Sequence, residues 1–446
     1  MTAVGGALPA GPLRLRRPLV TTVVVATVMG VLLGRFVFAG SAEAPSSVIH
    51  QPKAQSIEQL QQQIRVGGES ASLLTDLGVA YLNQARATAD PSWYTKAAEA
   101  LQHAQALAPD DARTLTGAGL LALARHDFTL ALSAGQRAHS LQPASPDALG
   151  VIVDAEVELG RYPAAAATAQ EMVDRRPSLA SLSRVSYVRE LHGDTSGALA
   201  AMTQAAAAGS GSGTDAAYVR ALVGDLHLNA GDLDLAEASY RRTLADAPGY
   251  GMAEYGLARV AAARGDLDGA AQLLSPLVAR LPFSAWVALL GDVEAARGHA
   301  GEAARQYELV RTIEALNRSN GVAVDLEVAR FEADHARDPG ADTARAVTLA
   351  HSALAVRPTI YAEDVTGWAL HQAGDSAAAL SHARAAVRLG TADAALWYHL
   401  AVIETDLGMS APATADLAHA FAVNRHLTLR DLPAARQLAG RLGVDA

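Results

Sequence analysis

The spacing of prolines and glycines is the sequence feature that most constrains the fold. Pro109, Pro143 and Pro177 lie 34 residues apart, and Pro248 and Pro282 repeat that interval. Glycines recur at intervals of 33 or 34 residues over the same part of the chain. Internal repeats of this length indicate an array of helical hairpins, in which each unit buries its apolar face against its neighbours.

A second position supports this register. When each repeat is aligned on its proline or glycine alone, the small-residue position of the second helix is alanine in all ten repeats. A small side chain there allows the two helices of a hairpin to approach closely. The ten positions are Ala97, Ala131, Ala165, Ala198, Ala236, Ala270, Ala303, Ala346, Ala379 and Ala413.

Glycine and proline are expected to mark the two ends of each hairpin. Glycine adopts the left-handed conformation that closes a first helix at little cost. Proline stops a second helix and turns the chain into the next repeat. The pattern also predicts inserted loops at Ala85–Trp93 and His335–Thr343. The glycines expected to end first helices are Gly160, Gly193, Gly231, Gly265, Gly298, Gly374 and Gly408.

Composition favours an all-α fold and excludes several functions. Half of the residues are hydrophobic but only 5% are aromatic, and alanine and leucine favour helix. The net charge is −10, and Lys53 and Lys96 are the only lysines, so no basic block is present to follow a phosphate backbone. Nucleic acid is therefore not expected as a partner. The absence of cysteine excludes disulfides, thiolate metal sites and cysteine nucleophiles.

The N-terminal segment predicts a membrane anchor. Leu19–Gly34 carries no charge, and the apolar run continues beyond Arg35, close to the roughly 20 residues that span a bilayer as a helix. Arg14, Arg16 and Arg17 precede this run, which places the N-terminus in the cytoplasm. A cleaved signal peptide is the alternative, because small residues follow the run, although the run is long for a signal peptide.

These features together divide the chain into five parts. We predict a cytoplasmic basic N-terminus at 1–18, a transmembrane signal-anchor helix at 19–39, and a linker with a short helix at 40–70. The repeat array occupies 71–424, and 425–446 forms a C-terminal capping helix.

The repeats resemble the tetratricopeptide repeat family. Leu77-Gly78 with Tyr81 matches the first half of the family pattern, and Ala236 and Tyr240 followed by Pro248 match the second half. The resemblance covers roughly residues 71–424 and implies a solenoid of about ten helical hairpins. In this family the first helices line a concave groove that binds extended peptides or partner proteins.

The resemblance also implies which side chains face the groove. Aromatic residues and arginine dominate binding energies at protein interfaces, so such residues in the groove register are the candidates for partner contact. The implied groove residues are Tyr187, Tyr218, Tyr255, Arg259, Arg330, Tyr361, Trp368, His371 and Tyr398.

Motifs that carry catalysis are not found in the sequence. There is no phosphate-binding GxxxxGK[ST] loop and no HExxH metal pair, and the fourteen histidines are scattered singly. We therefore predict no catalytic residues, no metal site and no cofactor. A non-catalytic part of an enzyme is a further possibility, but the segments outside the array are too short to hold a catalytic domain.

The leading functional hypothesis is a membrane-anchored, non-enzymatic scaffold or assembly factor at the cell envelope, with its array outside the cytoplasm and a protein or peptide partner in the groove. The alternative is an anchored or secreted sensor that recognises a peptide or small ligand. The arginine- and alanine-rich composition, nearly without lysine, is typical of a high-GC bacterium.

Overall fold

Twenty-two α-helices make up the computed structural model, which describes residues 55–208, 214–338 and 340–446. No strand is present in these three ranges. No helix within them is both long enough and apolar enough to cross a membrane. The predicted basic N-terminus at 1–18 and the predicted transmembrane helix at 19–39 lie outside the described residues.

Twenty of the helices pair into ten successive hairpins. Helix α1 (Ile57–Gly67) precedes the first hairpin and α22 (Leu432–Leu442) follows the last. Hairpins 1 to 5 are α2 (Ala71–Thr88) with α3 (Ser92–Leu107), α4 (Ala112–Ala124) with α5 (Phe128–Leu141), α6 (Pro146–Glu158) with α7 (Tyr162–Arg175), α8 (Leu179–Leu191) with α9 (Thr195–Ala208), and α10 (Thr214–Asn229) with α11 (Leu233–Asp246). Hairpins 6 to 10 are α12 (Gly251–Ala263) with α13 (Leu267–Arg280), α14 (Ser284–Ala296) with α15 (Ala300–Ser319), α16 (Asp325–Asp334) with α17 (Ala341–Val356), α18 (Ile360–Gln372) with α19 (Ser376–Ala386), and α20 (Ala394–Asp406) with α21 (Ser410–Val423).

The predicted helix ends are confirmed. All seven glycines expected to close first helices have φ between 66° and 86°, in the left-handed region. Each of the five periodic prolines stands two residues beyond the last residue of a second helix. Of the two predicted loops, the one at His335–Thr343 is present between α16 and α17 but shorter, because α17 already begins at Ala341. The one at Ala85–Trp93 is wrong, because α2 continues to Thr88 and leaves a connection of only three residues.

The alanine register is also confirmed, since all ten alanines are between 0% and 3% exposed. Their burial reflects how closely the helices pack. Tyr240 on α11 lies against Gly224 on the first helix of its own hairpin, where an added Cβ would come within 2.5 Å of the ring. Gly256 of the next hairpin is equally close to that ring. Small residues on both sides therefore let one aromatic side chain fill the layer between hairpins 5 and 6.

Hairpins far apart in sequence also touch, at the turns that join first to second helices. In the turn of hairpin 2, Arg125 O accepts a 3.0 Å hydrogen bond from Ala323 N, and His126 Nδ1 lies 2.8 Å from Ala323 O. Ala323 belongs to the junction between hairpins 7 and 8. At the start of the second helix of hairpin 3, Tyr162 Oη accepts a 2.8 Å hydrogen bond from Ile360 N, at the junction between hairpins 8 and 9.

The same pairing continues along the chain. In the turn of hairpin 4, Gly193 lies directly against the carbonyl of Gly390, in the junction between hairpins 9 and 10. At the end of the first helix of hairpin 5, Leu228 O accepts a 3.0 Å hydrogen bond from Asn424 Nδ2, just beyond hairpin 10. The solenoid thus coils so tightly that each turn of hairpins 2 to 5 meets the junction that follows the hairpin five places later. We call this contact surface the lateral interface.

Arg357 forms the charged centre of the lateral interface. Its Nε donates to Glu158 at 2.6 Å and its Nη1 donates to Glu327 at 3.1 Å, while its guanidinium carbon lies 5.1 Å from the ring centroid of Phe128. Arg357 is 4% exposed and Glu158 is fully buried. An apolar cluster that joins Tyr162 and neighbouring residues of hairpin 3 to hairpins 9 and 10 lies beside this network.

Two glycine substitutions distinguish the stability that the lateral interface contributes from the cost of a left-handed turn residue. Gly160 and Gly265 both have positive φ, but a Cβ on Gly160 would collide with Pro358 O, whereas a Cβ on Gly265 would meet nothing within 4 Å. Both alanine variants bear the cost of a left-handed residue. We expect Gly160→Ala to lose about 2 kcal/mol more of stability than Gly265→Ala, because only the first also separates the lateral interface.

Thermal unfolding and small-angle X-ray scattering of both variants measure this difference. Gly160→Ala should unfold at the lower temperature and show the larger radius of gyration. Equal unfolding temperatures and equal radii would mean that the lateral interface contributes nothing to stability.

Candidate functional site

A cavity of about 290 Å³ lies on the inner face of hairpins 5 to 10. The first helices of hairpins 5, 6, 7, 8 and 9 contribute side chains to its wall, together with the start of α20. Val310 and Glu314 of α15 also line it, and Asn424 with residues 426–431, which connect hairpin 10 to α22, completes the lining. We call residues 424–431 the return segment, because Asn424 binds back to hairpin 5 across the lateral interface. The cavity is therefore bordered by six hairpins and by the segment that follows them.

One part of the wall is apolar and aromatic. Tyr255 on α12 stacks on Trp286 with ring centroids 5.3 Å apart, and the guanidinium carbon of Arg259 lies 5.7 Å from the centroid of the Tyr255 ring. Phe331 on α16 lines the cavity beside Leu289 of α14. These side chains offer the rigid apolar area that binding sites for peptides and small ligands use.

The rest of the wall is charged, with an excess of carboxylates. Three arginines and seven carboxylates line the cavity. Arg330 Nε donates to Asp334 at 2.8 Å, and Arg330 Nη1 donates to Asp364 at 3.0 Å. Burial acts to raise the pKa of Asp334, but Arg330, with His335 and Arg430 nearby and a hydrogen bond from Trp368, outweighs it and holds that pKa at about 2. Asp334 is therefore a fixed negative charge at the centre of the wall.

A second polar group joins hairpins 7 and 8. His335 Nε2 lies 2.8 Å from Asp292 Oδ1, and the Tyr307 hydroxyl donates to the same carboxylate oxygen at 2.9 Å. The Tyr307 and His335 rings are 4.5 Å apart, so the three side chains pack as one unit. Among the residues that the structure describes, no group of three or more histidine and acidic side chains is arranged to hold a metal ion.

Two glutamates of this wall stand out by their surroundings. Glu314 on α15 is 5% exposed, and burial raises its pKa to about 7 despite a hydrogen bond from Ser284, with the nearby Glu327 carboxylate adding to the increase. Glu327 on α16 contacts Arg357 through Oε1, while its Oε2 is buried without a hydrogen-bond partner among the described residues. Sequence reasoning missed both residues, because neither lies in a motif and their burial depends on contacts between hairpins.

The structure divides the nine predicted groove residues into two sets. Tyr255, Arg259 and Arg330 line the cavity. The other six lie elsewhere, and five of these are aromatic side chains that are between 1% and 6% exposed and pack in the cores between hairpins. The six are Tyr187, Tyr218, Tyr361, Trp368, His371 and Tyr398. Partner contact by any of the nine stays a prediction.

Trp368 illustrates why these aromatics are buried. Its Nε1 donates to Asp334 at 2.8 Å, and its ring stacks on His399 with centroids 4.1 Å apart. His371, which is half-buried, also stacks on the indole, with ring centroids 5.3 Å apart. Trp368 therefore joins hairpins 8, 9 and 10, and it holds the Asp334 carboxylate toward the cavity.

The return segment was also missed by sequence reasoning, which assigned all of 425–446 to a capping helix. The last helix begins only at Leu432, where Pro433 occupies the first turn. Proline is favoured at that position because the amide it lacks has no intrahelical partner there. The seven residues before Leu432 are free to follow the cavity wall instead.

Glu314 should make stability depend on pH. Its folded pKa of about 7 lies above its ordinary value of 4.5, so the folded chain keeps a proton that the unfolded chain loses as the pH rises between these values. Stability from this group therefore falls across that window, by about 3 kcal/mol at pH 8. In Glu314→Gln this loss is absent, so the variant should gain stability relative to the parent chain as the pH rises from 4.5 to 8.

Urea unfolding of both chains at several pH values measures the difference. Glu308→Gln, on the exposed side of the same helix, is the matched control. A stability difference between Glu314→Gln and the parent chain that stays constant from pH 4.5 to 8 would contradict the assignment.

Two parts of the chain are similar in sequence to a known family. The family described as "Tetratricopeptide repeat" matches residues 116–180 and 222–285. No curated protein matches the chain in sequence. The APC/C hetero-tetramer Cut9–Hcn1 is a similar solved structure, with 14% identity over 86% of this chain and 92% of that chain and a TM-score of 0.40.

Two tetratricopeptide repeat proteins of bacteria are also similar in structure. One, from Parabacteroides merdae, has 15% identity over 56% of this chain and 98% of that chain, with a TM-score of 0.40. The other, a thermophilic protein of Thermus thermophilus, has 21% identity over 47% of this chain and 99% of that chain, with a TM-score of 0.37. Residues 116–180 and 222–285 thus match tetratricopeptide repeats in sequence, within an all-helical solenoid of the same hairpin architecture.

Proposed function

We propose that the chain is a non-enzymatic scaffold or assembly factor that binds a partner protein or peptide on the inner face of its solenoid. Tetratricopeptide repeat folds generally serve protein–protein interaction, and stacked helical repeats use their extended concave surfaces for binding. The observation that carries the proposal is the cavity, to which five successive first helices contribute aromatic, aliphatic and charged side chains. Such a mixture of surfaces suits a peptide better than a uniformly polar or apolar ligand.

A sensor for a peptide or small ligand is the second candidate. The cavity volume of about 290 Å³ favours it, because it approaches the size of pockets that hold small molecules. The two candidates differ in what remains bound, since a scaffold retains a partner protein and a sensor retains only the ligand.

We also propose that the solenoid lies outside the cytoplasm, attached to the plasma membrane by a single N-terminal span. The support is the uncharged run Leu19–Gly34, preceded by Arg14, Arg16 and Arg17. Secretion after cleavage of this segment is the alternative. A bacterial source is supported by the composition, which is rich in alanine and arginine and nearly without lysine.

Site-specific photo-cross-linking tests where the partner binds. Asn229 lines the cavity, whereas Gln272 lies exposed on α13, the second helix of hairpin 6. With a photoreactive residue at position 229 in the full chain, illumination of intact cells should give a discrete cross-linked band. The same residue at position 272 should give none, because it lies outside the cavity.

Two outcomes would contradict the binding proposal. Cross-links that form only from position 272 would place the partner on the outer surface. An absence of cross-links from both positions, with the full chain present and folded, would argue against a protein partner. The sensor would then be the remaining candidate function.

Protease treatment of sealed spheroplasts tests the location. With an epitope tag at the C-terminus, we expect the tag to be lost from intact spheroplasts, because the array would face outward. The tagged chain should have its full length before digestion if the anchor is retained, and a shorter length if it is cleaved. Survival of the tag until the membrane is broken would place the array in the cytoplasm.

A further inference from the structure

The return segment forms one side of the cavity and lies against apolar and acidic residues of the other hairpins. Its residues from Asn424 and from His426 to Asp431 line the cavity, and none of the residues between α21 and α22 is helical. Leu429 packs against the large apolar cluster of hairpins 5 to 8. Arg430 Nε lies 3.8 Å from Asp334 Oδ1, and its side chain remains 44% exposed. Leu429 and Arg430, which are adjacent in sequence, thus contact an apolar surface and an acidic side chain, respectively.

The charge of the cavity favours a basic occupant. Without the return segment, which supplies Arg430 and Asp431, the remaining wall holds two arginines and six carboxylates. Both of these arginines are already engaged, Arg259 with Asp225 at 2.8 Å and Arg330 with two aspartates. A further cation from an occupant is therefore complementary to this wall.

The return segment holds its place under backbone strain. Leu427 has φ of 37°, and only two other non-glycine residues in the described ranges have positive φ. The left-handed region is unfavourable for a branched side chain, and such strain persists where surrounding contacts impose it. Leu427 packs against the cluster around α22, whereas Leu429 packs against the cavity wall.

We propose that the return segment is a built-in occupant of the cavity, and that the partner is a peptide segment in which an aliphatic residue precedes an arginine or lysine and takes its place. This inference rests on the proposed binding function and names the chemistry of the partner. The partner's aliphatic side chain replaces Leu429 on the apolar cluster, and its cation replaces Arg430 beside Asp334. Affinity is then set by competition, because the partner must displace the chain's own segment.

The exchange needs no unfolding of the solenoid. At one end of the segment, Asn424 bonds to hairpin 5, and at the other end Asp431 is 5% exposed and directly precedes α22. Helix α22 packs on hairpin 10 through Leu438 and Ala439, away from the cavity wall. The residues between these two fixed ends can leave the cavity while both ends stay attached.

A peptide that copies the segment tests the proposal. The probe is a fluorescent peptide with the sequence RHLTLRD, identical to residues 425–431, and binding to the full chain is measured by anisotropy. The variant Leu429→Ser/Arg430→Ser weakens the internal occupant. We expect it to bind the peptide at least tenfold more tightly than the parent chain does. A peptide with serine in place of its second leucine and second arginine should bind neither chain.

The matched control is Leu235→Ser/Arg241→Ser on α11. Leu235 is 53% exposed, and the Arg241 side chain is 72% exposed and paired only with Glu237 on the same helix, so the control makes the same two changes away from the cavity. It should bind the peptide as weakly as the parent chain. If the control gains affinity to the same extent, the gain does not come from the vacated cavity and the proposal fails.

The remaining outcomes of this experiment also test the proposal. Equal affinity of the parent chain and a folded Leu429→Ser/Arg430→Ser variant would show that the segment is a structural connection only. If the double variant does not fold, Arg430→Ser alone replaces it, because that side chain is largely solvent-exposed, and at least a threefold gain is expected. If the peptide does not bind the double variant but position 229 cross-links a partner, only this inference is wrong. If both fail, the binding function is wrong as well.

Discussion

The buried guanidinium of Arg357 is the contact on which the closure of the solenoid depends. An arginine removed from water is costly unless acceptors surround it, and here the acceptors come from two different hairpins, Glu158 at 2.6 Å and Glu327 at 3.1 Å. Buried ion pairs of this kind add little stability compared with apolar packing, but a wrong alignment leaves a charge without a partner. The later hairpins therefore settle against the earlier ones in one register.

That register determines the shape of the binding surface. A loosely coiled array of the same hairpins would present an open groove. Here the tight coil brings the end of hairpin 10 back to hairpin 5, and Asn424 fixes it there through Leu228 O. The inner face becomes a cavity, and its lining depends on residues almost two hundred positions apart in sequence.

Local features of the fold could be predicted from the sequence, and long-range features could not. Gly160 and Gly265 mark helix ends because the left-handed conformation favours glycine wherever the turn lies. Ala236 marks a helix contact because the partner helix is next to it in the chain. Trp368, by contrast, matches the groove register of the family, yet it lies in the core between hairpins because α20 brings His399 against its ring. The positions of Glu314 and Glu327 depend likewise on neighbours that no repeat pattern specifies.

The offset of five hairpins changes how disturbances spread. In an open solenoid each repeat touches only the next, so stability is nearly a sum along one dimension and the array can unravel from either end. The lateral interface adds a second dimension, because hairpins 2 to 5 are also neighbours of the junctions that follow hairpins 7 to 10. Unfolding at the C-terminus would then directly remove contacts from hairpin 5, in the middle of the chain. Such a molecule is not expected to lose its hairpins one at a time, because hairpins that are distant in sequence hold one another in place.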